Sequence, residues 1–374
     1  MGRYALKKVP IGDSFEWLKL VLTEVKVLEQ LKLHPNIIGY KHSWLEMDQT
    51  ADFGPQVPCL FILMDFADSG NLEDYIMKRT EKGVFLEERE IWLYFLDLLF
   101  GIDYLHSMGV IHRDIKSPNM LLNRETDPQT RKPLRQRLMI SDFGTCVMKK
   151  MIGGQNRTGN TGTPEWIAPE LLIKNEHGKW QDYDACCDMW GLGLCLHFMT
   201  FGVLPWKSSR KNLEVLSAEI LESNIEFPST PVRSPEMVRL IKVLLQKDPK
   251  KRPNSRDLIL STLVENLVKK VNDPQLSRLL ADVFLQGPHT STFDERRDQN
   301  PTFHLSPIIQ RTMYALIEEK SKLLPSLPQP ERPSEPIPQS PPAPAPKRKL
   351  SLSSGRPPHS SLSSSAGSLM VRNK

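Results

Sequence analysis

Residues 112–119 read His-Arg-Asp-Ile-Lys-Ser-Pro-Asn, and this stretch decides the fold. It follows a strongly apolar and periodic segment, Ile91 to Met108, which predicts a buried helix. Within the stretch, Asp114 provides a carboxylate, Lys116 a positive charge and Asn119 an amide. The sequence therefore predicts a loop of polar and charged residues placed directly after a core helix.

Further short elements follow this loop in a fixed order. They are Asp142-Phe143-Gly144 after a strand-like run, Ala168-Pro169-Glu170 inside the run Gly162 to Glu170, Asp188-Met189-Trp190-Gly191-Leu192-Gly193 at the start of an apolar helix, and a late arginine, Arg252. A triplet alone arises often by chance, whereas the ordered set is specific.

Taken together, these elements resemble the eukaryotic serine/threonine protein kinases, and the resemblance covers residues 4 to about 265. It implies an α+β, two-lobed protein-kinase-like fold with a small β-rich lobe and a large helical lobe. It also implies transfer of the ATP γ-phosphate to Ser/Thr hydroxyls of protein substrates, with ATP and Mg²⁺ as cofactors. The sequence segments HRDIKSPN and GTPEWIAPE further resemble those of the fungal Iks-type kinases.

The resemblance assigns a role to each residue of the catalytic loop. Asp114 accepts the proton of the substrate hydroxyl, and Lys116 offsets charge on the transferring phosphoryl group. Asn119 and Asp142 hold the magnesium ions. Lys116 and Thr163, which lies in the GTPE segment, are typical of serine/threonine kinases.

The start of the chain supplies the expected phosphate lysine. Ala5-Leu6-Lys7 resembles the V-A-I-K strand of the family, which makes Lys7 the ligand of the α- and β-phosphates. Glu24, on the following helix, is its expected partner. Glu16 and Glu29 lie on the same predicted helix and remain alternatives.

An adenosine pocket follows from the same resemblance. Met64 occupies the gatekeeper position, and Asp65 to Ala67 form the hinge that bonds adenine. Asn71 lies near the ribose. Leu121 forms the floor under the adenine ring, although an apolar residue there also suits a plain core position.

Several residues are expected to support the site rather than to react. His112 and Phe143 belong, with Leu28 and Tyr40, to a hydrophobic column between the lobes. A buried ion pair is expected between two further residues, Glu170 and Arg252, while Asp188 opens the central helix. Arg113 precedes the catalytic aspartate and is expected to receive a phosphate on Thr161; an ordinary polar loop is the alternative.

The family's glycine-rich loop is expected before Lys7, where only six residues stand. The sequence thus predicts an incomplete small lobe. Either the chain is a truncated form of an active kinase, or it is a natural isoform that is weakly active or acts as a scaffold binding a partner protein. Retention of Lys7, Asp114, Asn119 and Asp142 favours an active ancestry.

Composition and patterning divide the chain into four expected parts. They are a partial kinase N-lobe at 1–66, a C-lobe at 67–265, a helical extension at 266–324 and a disordered Pro/Ser-rich tail at 325–374. A polar insertion, Arg124 to Arg137, is expected to form an exposed hairpin whose basic residues are solvated or dock a partner.

Net charge, hydropathy and cysteine content indicate which binding partners and which cellular compartment to expect. A net charge of +5 over 374 residues gives no reason to expect nucleic-acid binding. No apolar run reaches the ~18 residues of a transmembrane helix, so no membrane contact is expected. The five cysteines form no CxxC pair, which favours free thiols in a cytoplasmic or nuclear protein. The tail contains PxxP spacings that suit SH3-type partners or a passive linker, and the basic run 347–349 suits a nuclear signal or a phosphorylation site.

Overall fold

The computed structural model of this chain describes residues 3–11, 15–49, 55–127, 129–130, 132–148, 163–173, 184–208, 212–286 and 368–370. All of these residues fall within one compact unit. A sheet-rich part comes first along the chain and a helical part follows it, which is the two-lobed α+β architecture expected from the sequence.

The sheet-rich part contains three strands and one helix: β1 (Tyr4–Pro10), α1 (Phe15–Gln30), β2 (Tyr40–Gln49) and β3 (Gln56–Asp65). β3 is central, and β1 and β2 pair with it antiparallel on its two sides. Its apolar run from Cys59 to Ile62 is buried, as suits a central strand. β2 continues to Gln49 and β3 begins at Gln56.

Helix α1 packs through apolar residues at helical spacing. Val21, Leu22, Val25 and Leu28 are all buried. The helix ends at Gln30, and no helical backbone follows before Pro35, which disfavours helical backbone in the residue preceding it.

The helical part is built from six helices: α2 (Leu72–Thr80), α3 (Glu88–Ser107), α4 (Cys186–Phe201), α5 (Leu213–Glu222), α6 (Pro235–Leu244) and α7 (Ser255–Ile259). α4 is the core of this part, because every residue from Cys187 to Phe201 is buried. Close packing requires its glycine at 191, where a Cβ atom would lie 2.6 Å from the Ile115 carbonyl oxygen. Gly202 ends the helix in the left-handed conformation, with φ of 74°.

Two antiparallel pairs connect α3 to α4: β4 (Val110–Ile111) with β7 (Val147–Met148), and β5 (Met120–Thr126) with β6 (Pro133–Ile140). Met120 is opposite Ile140 in the second pair. The catalytic loop ends just before Met120, and the Asp142 triplet begins just after Ile140. The hairpin register therefore brings Asn119 and Asp142 to the same end of the molecule.

The C-terminal segment forms two helices, α8 (Thr262–Val271) and α9 (Pro274–Gln286), where the sequence pattern suggested one. Asn272 adopts a left-handed backbone with φ of 51° and separates them. α8 crosses the boundary that we expected at residue 265. A last short strand, β8 (Ser368–Met370), pairs antiparallel with β1.

Candidate active site

Lys7 lies within β1, and its ammonium group contacts two carboxylates. Nζ is 2.7 Å from Glu24 Oε1 on α1 and 3.0 Å from Asp142 Oδ1, in the turn after β6. The alternative Glu29 instead faces Tyr40, whose hydroxyl lies 3.4 Å from its Oε1. The side chain of Glu16 lies outside the described residues. We call Lys7, Glu24 and Asp142 the active-site cluster.

The three groups of this cluster shift one another's proton affinities. Burial favours the neutral amine of Lys7, but the charges of Glu24 and Asp142 outweigh it and raise its pKa. Burial also raises the pKa of Glu24, which Lys7 only partly offsets. For Asp142, burial acts upward, yet the Lys7 charge and hydrogen bond hold the pKa below its ordinary value. At neutral pH the cluster therefore contains a charged lysine and an ionised Asp142.

Asp114 is buried at the centre of the catalytic loop. Its Oδ2 lies 2.6 Å from Lys116 Nζ and accepts a hydrogen bond of 2.9 Å from Asn119 Nδ2. Its Oδ1 is buried and has no hydrogen-bond partner among the described residues. Lys116 also donates to Thr163 Oγ1 at 2.6 Å, which brings the GTPE segment against the loop. One carboxylate oxygen of Asp114 is thus left to accept a proton.

The backbone is strained at one residue within this loop and at one residue after β6. Arg113 and Asp142 have φ of 66° and 63°, a left-handed conformation that costs a non-glycine residue about 1–3 kcal/mol. Asp188 at the start of α4 holds the first of these turns, because its carboxylate accepts the amides of His112 and Arg113 at 2.9 and 2.7 Å. His106 contacts the same carboxylate at 2.9 Å. Asp188 therefore serves to fix the loop, in the place where sequence analysis expected a supporting residue.

The residues expected around adenosine lie where β3 leads into α2. Met64 and Asp65 end β3, Ala67 follows, and Asn71 caps α2 by accepting the Asp74 amide at 2.8 Å. Leu121 forms an isolated antiparallel bridge with Asn71. The structure therefore brings the residue expected near the ribose, Asn71, next to the expected floor residue, Leu121.

Two rings of the expected hydrophobic column are in contact. The His112 and Phe143 rings meet edge to face with centroids 5.4 Å apart. Phe143 and Leu28 are both 1% exposed. Tyr40 bonds instead through its hydroxyl, 2.9 Å from Ser43 Oγ.

The buried ion pair expected between Glu170 and Arg252 is present and bidentate, and we call it the latch pair. Arg252 donates to both carboxylate oxygens of Glu170 at 2.7 Å, and both side chains are buried. Truncation of one partner in such a pair leaves a buried charge without compensation. This pair joins the segment after Thr163 to the turn before α7.

A second group of buried charges was not expected from the sequence. Arg135 donates to both oxygens of Asp97 on α3 at 2.6 and 2.8 Å, and its Nε is 2.7 Å from Asp273 before α9. Arg137 pairs with Glu125 at 2.5 Å. We call these five residues the hairpin cluster. The hairpin was expected, and Arg124 and Lys132 are exposed to solvent as predicted for its basic residues. Arg135 and Arg137 differ, because their side chains are only 11% and 4% exposed.

Some predicted positions lie outside the described residues. Thr161, which was expected to be a phosphorylation site, belongs to this group, as do the PxxP spacings and basic run of the tail. No cluster of three or more His, Cys, Asp or Glu side chains suited to hold a metal occurs in the part of the chain that the structure describes. No helix among the described residues is long and apolar enough to cross a membrane.

Comparison with known proteins gives consistent results. A protein kinase domain model matches residues 2–264. The chain is 45% identical over 294 residues to the probable serine/threonine-protein kinase iksA of Dictyostelium discoideum, covering 72% of this chain and 29% of that protein. It is 34% identical over 267 residues to the RAC-beta serine/threonine-protein kinase A of Xenopus laevis, covering 70% and 48% respectively.

A third relative is more distant. The serine/threonine-protein kinase Nek4 of Mus musculus is 28% identical over 258 residues, or 69% of this chain and 28% of Nek4. The chain thus spans less than half the length of each of these three relatives.

Proposed function

Because this chain belongs to the protein kinase domain family, we propose that it is a serine/threonine protein kinase that transfers the γ-phosphate of ATP to protein hydroxyls. The contact of Lys7 with Glu24 and Asp142 carries the proposal, since it joins β1, α1 and the turn after β6. A buried ion pair adds little net stability. A lysine shared between two carboxylates, with Asp142 49% exposed, is therefore better explained by chemistry than by folding.

The catalytic loop supplies the reacting groups in this proposal. Asp114 accepts the proton of the attacking hydroxyl through Oδ1, the oxygen that has no partner among the described residues. Lys116, 2.6 Å from Asp114, offsets charge on the group being transferred. Thr163, hydrogen-bonded to Lys116, sets the position of the substrate beside them.

The residues present fit ATP and Mg²⁺. Asn119 and Asp142 offer hard oxygen ligands, and the Asp142 side chain is 49% exposed, so it is accessible from the cleft. A site with few protein ligands suits Mg²⁺, which usually takes its remaining ligands from phosphates and water. When bound, the ion neutralises charge on the phosphates. Lys7 would hold the α- and β-phosphates, and Met64, Asp65, Ala67, Asn71 and Leu121 would line the adenosine site.

The proposal extends to the substrate and the setting of the reaction. At the positions where kinases that prefer arginine-rich substrates carry acidic residues, this chain has Pro118 and Phe198. Phe198 is 6% exposed, and its ring contacts Trp166. We therefore expect no strict requirement for arginine before the phosphorylated residue. All five cysteines are unpaired, which supports a reducing compartment, the cytoplasm or nucleus.

Phosphate incorporation tests the proposal directly. The purified chain is incubated with Mg²⁺ and γ-labelled ATP and a generic serine/threonine substrate, beside Asp114→Asn and a matched control, Asp127→Asn. Asp127 lies at the exposed turn of the hairpin, where it accepts the amides of Gln129 and Thr130. Asp114→Asn should lower the rate by about 10²–10⁴-fold, because the proton acceptor is lost. Asp127→Asn should label as wild type does.

Equal labelling by wild type and Asp114→Asn would refute the proposed activity. A partner protein that binds both forms equally well, in the absence of labelling, would instead support the scaffold alternative.

A further inference from the structure

Trp206 lies in the segment between α4 and α5, outside every motif considered above. Its indole Nε1 donates a hydrogen bond of 2.8 Å to the backbone carbonyl of Glu165. The two amides that follow it, those of Lys207 and Ser208, donate to the Glu219 carboxylate on α5 at 2.7 and 2.9 Å. The segment that presents this indole is therefore itself fixed to a helix.

The ring of Trp206 is also held from one side. It stacks on Trp190 of α4 with ring centroids 6.1 Å apart and planes 15° from parallel. Trp190 is fully buried, and the Arg252 guanidinium lies 5.1 Å from its centroid. The latch pair Glu170–Arg252 and the indole of Trp206 are thus connected through one aromatic ring.

The carbonyl that Trp206 binds belongs to a short turn beside the catalytic loop. Pro164–Trp166 forms a 3₁₀ turn, closed by a 2.9 Å bond from the Trp166 amide to the Thr163 carbonyl. Thr163 at its start accepts a hydrogen bond from Lys116. A shift of the turn would therefore move Thr163 relative to Lys116 and Asp114.

We propose that Trp206 is a positioning residue for the protein substrate, acting through its hydrogen bond to the turn 164–166. The inference rests on the proposed kinase activity. The proposed role concerns the protein substrate and not ATP. Among the described contacts, Lys116 bonds to Thr163 at the start of the turn, whereas Lys7, Glu24 and Asp142 bond to one another. The effect should therefore fall on the protein substrate and leave the nucleotide unaffected.

The test is Trp206→Phe, which keeps an aromatic ring against Trp190 and removes the N–H donor. Steady-state kinetics with a peptide substrate should show kcat/KM for the peptide lowered by about 3- to 10-fold, the factor that one hydrogen bond contributes. The KM for ATP should stay unchanged. Hydrogen exchange of the amides of Trp166 and Ile167 should become faster, because the turn loses its fixed carbonyl.

Trp44→Phe is the matched control. Its indole donates to the Glu46 carboxylate at 3.0 Å on β2, so it also loses one N–H donor but far from the turn. The inference is wrong if Trp206→Phe leaves either the peptide kinetics or the exchange at wild-type values. It is also wrong if the variant changes only the melting temperature, or raises the KM for ATP as much as that for the peptide.

The exchange measurement needs no catalysis. An inactive wild-type chain would overturn the proposed function, whereas unchanged exchange in Trp206→Phe would overturn the role of Trp206.

Discussion

The active-site cluster and the hairpin cluster both bury charged side chains at ion-pair distances, but they hold them differently. In the active-site cluster a single ammonium is shared between two carboxylates, at 2.7 and 3.0 Å. In the hairpin cluster the rigid guanidinium of Arg135 meets Asp97 through two parallel bonds. A lysine is a point charge on a flexible stem and can exchange partners, whereas an arginine fork cannot do so without losing geometry.

The side chains of the two clusters also differ in their exposure to solvent. Lys7 and Asp142 are 20% and 49% exposed, so water and ligands reach them. Asp97 is fully buried, and besides Arg135 it accepts the backbone amide of Leu138 at 3.0 Å. Asp273 likewise accepts the amides of Gln275 and Leu276 at the start of α9. One cluster is open and exchangeable, and the other is closed and fixed.

The two clusters are adjacent along the chain. β6 contains Arg135 and Arg137, and Asp142 follows its end. Asn36 holds the same strand from the sheet-rich part, since its Nδ2 donates to the Leu138 carbonyl and its own carbonyl accepts the Ile140 amide. We infer that the closed cluster keeps β6 in place so that the open one can change partners.

The largest effect should follow from opening the hairpin cluster. Asp97→Asn leaves Arg135 buried beside a neutral amide, which should lower the free energy of unfolding by about 3–5 kcal/mol. Urea denaturation followed by circular dichroism measures this loss. The control is Asp127→Asn on the exposed turn of the same hairpin, which should unfold close to the wild-type midpoint. A loss below about 1 kcal/mol for Asp97→Asn would show that Arg135 does not depend on the charge of Asp97, and that the hairpin cluster is not closed.

A substitution in the active-site cluster should lower the rate of phosphate transfer strongly and the stability only slightly. Lys7→Met removes the shared cation, and phosphate transfer should fall by about 10²–10³-fold, as when one electrostatic donor is lost. Unfolding should change less than in Asp97→Asn, because the already raised pKa of Glu24 lets it take up a proton and Asp142 is half exposed. Initial rates and urea midpoints on the same preparations measure both effects.

Lys8→Met provides the comparison for Lys7→Met. The neighbouring Lys8 pairs with Asp48 at 2.6 Å, on the opposite side of β1 from Lys7 in the strand alternation. Its loss should leave the rate unchanged. Lys7→Met with full activity, or with a loss of stability as large as that of Asp97→Asn, would remove the distinction between the two clusters.

The sequence predicted the residues of the catalytic loop more directly than either cluster, for a physical reason. Asp114, Lys116 and Asn119 act in one loop, so their spacing along the chain is itself the signal. Lys7 and Glu24 lie on different elements, and only the family resemblance paired them. The division between α8 and α9 has a local cause, because Asn272 adopts a left-handed backbone and Pro274 follows it.

The closed cluster had no such local signal. Arg135 and Arg137 alternate along a polar segment and resemble solvated residues, while their partner Asp97 is 38 residues from Arg135 along the chain. The available clue was Asp97 itself. A carboxylate in a helix that is apolar on nearly all sides has to find a buried partner, because an isolated charge there is too costly. The sequence could therefore predict that a partner exists, but not which residue it is.

The smallest of the three effects concerns His34, which lies in the loop between α1 and β2. Its ring stacks on Tyr104 with centroids 4.7 Å apart, and its Nδ1 accepts the Asn36 amide at 3.2 Å. Burial, with the nearby positive charge of Arg137, lowers the pKa of His34 from 6.5 to about 4. The folded state therefore binds this proton less readily than the unfolded state does. The stability from the neutral ring is complete above pH 6.5 and is lost as the pH falls toward about 4.

His34→Gln should remove this dependence while keeping a side chain that can accept a hydrogen bond. Across this pH range the variant should lose about 1–3 kcal/mol less stability than wild type. Urea midpoints at several pH values measure the slope, with His42→Gln on the exposed side of β2 as control. His197, whose pKa is also lowered to about 4 by burial, keeps part of the acid slope in both proteins. Identical slopes in wild type and His34→Gln would mean that neither burial nor the charge of Arg137 lowers the pKa of His34 in the folded state.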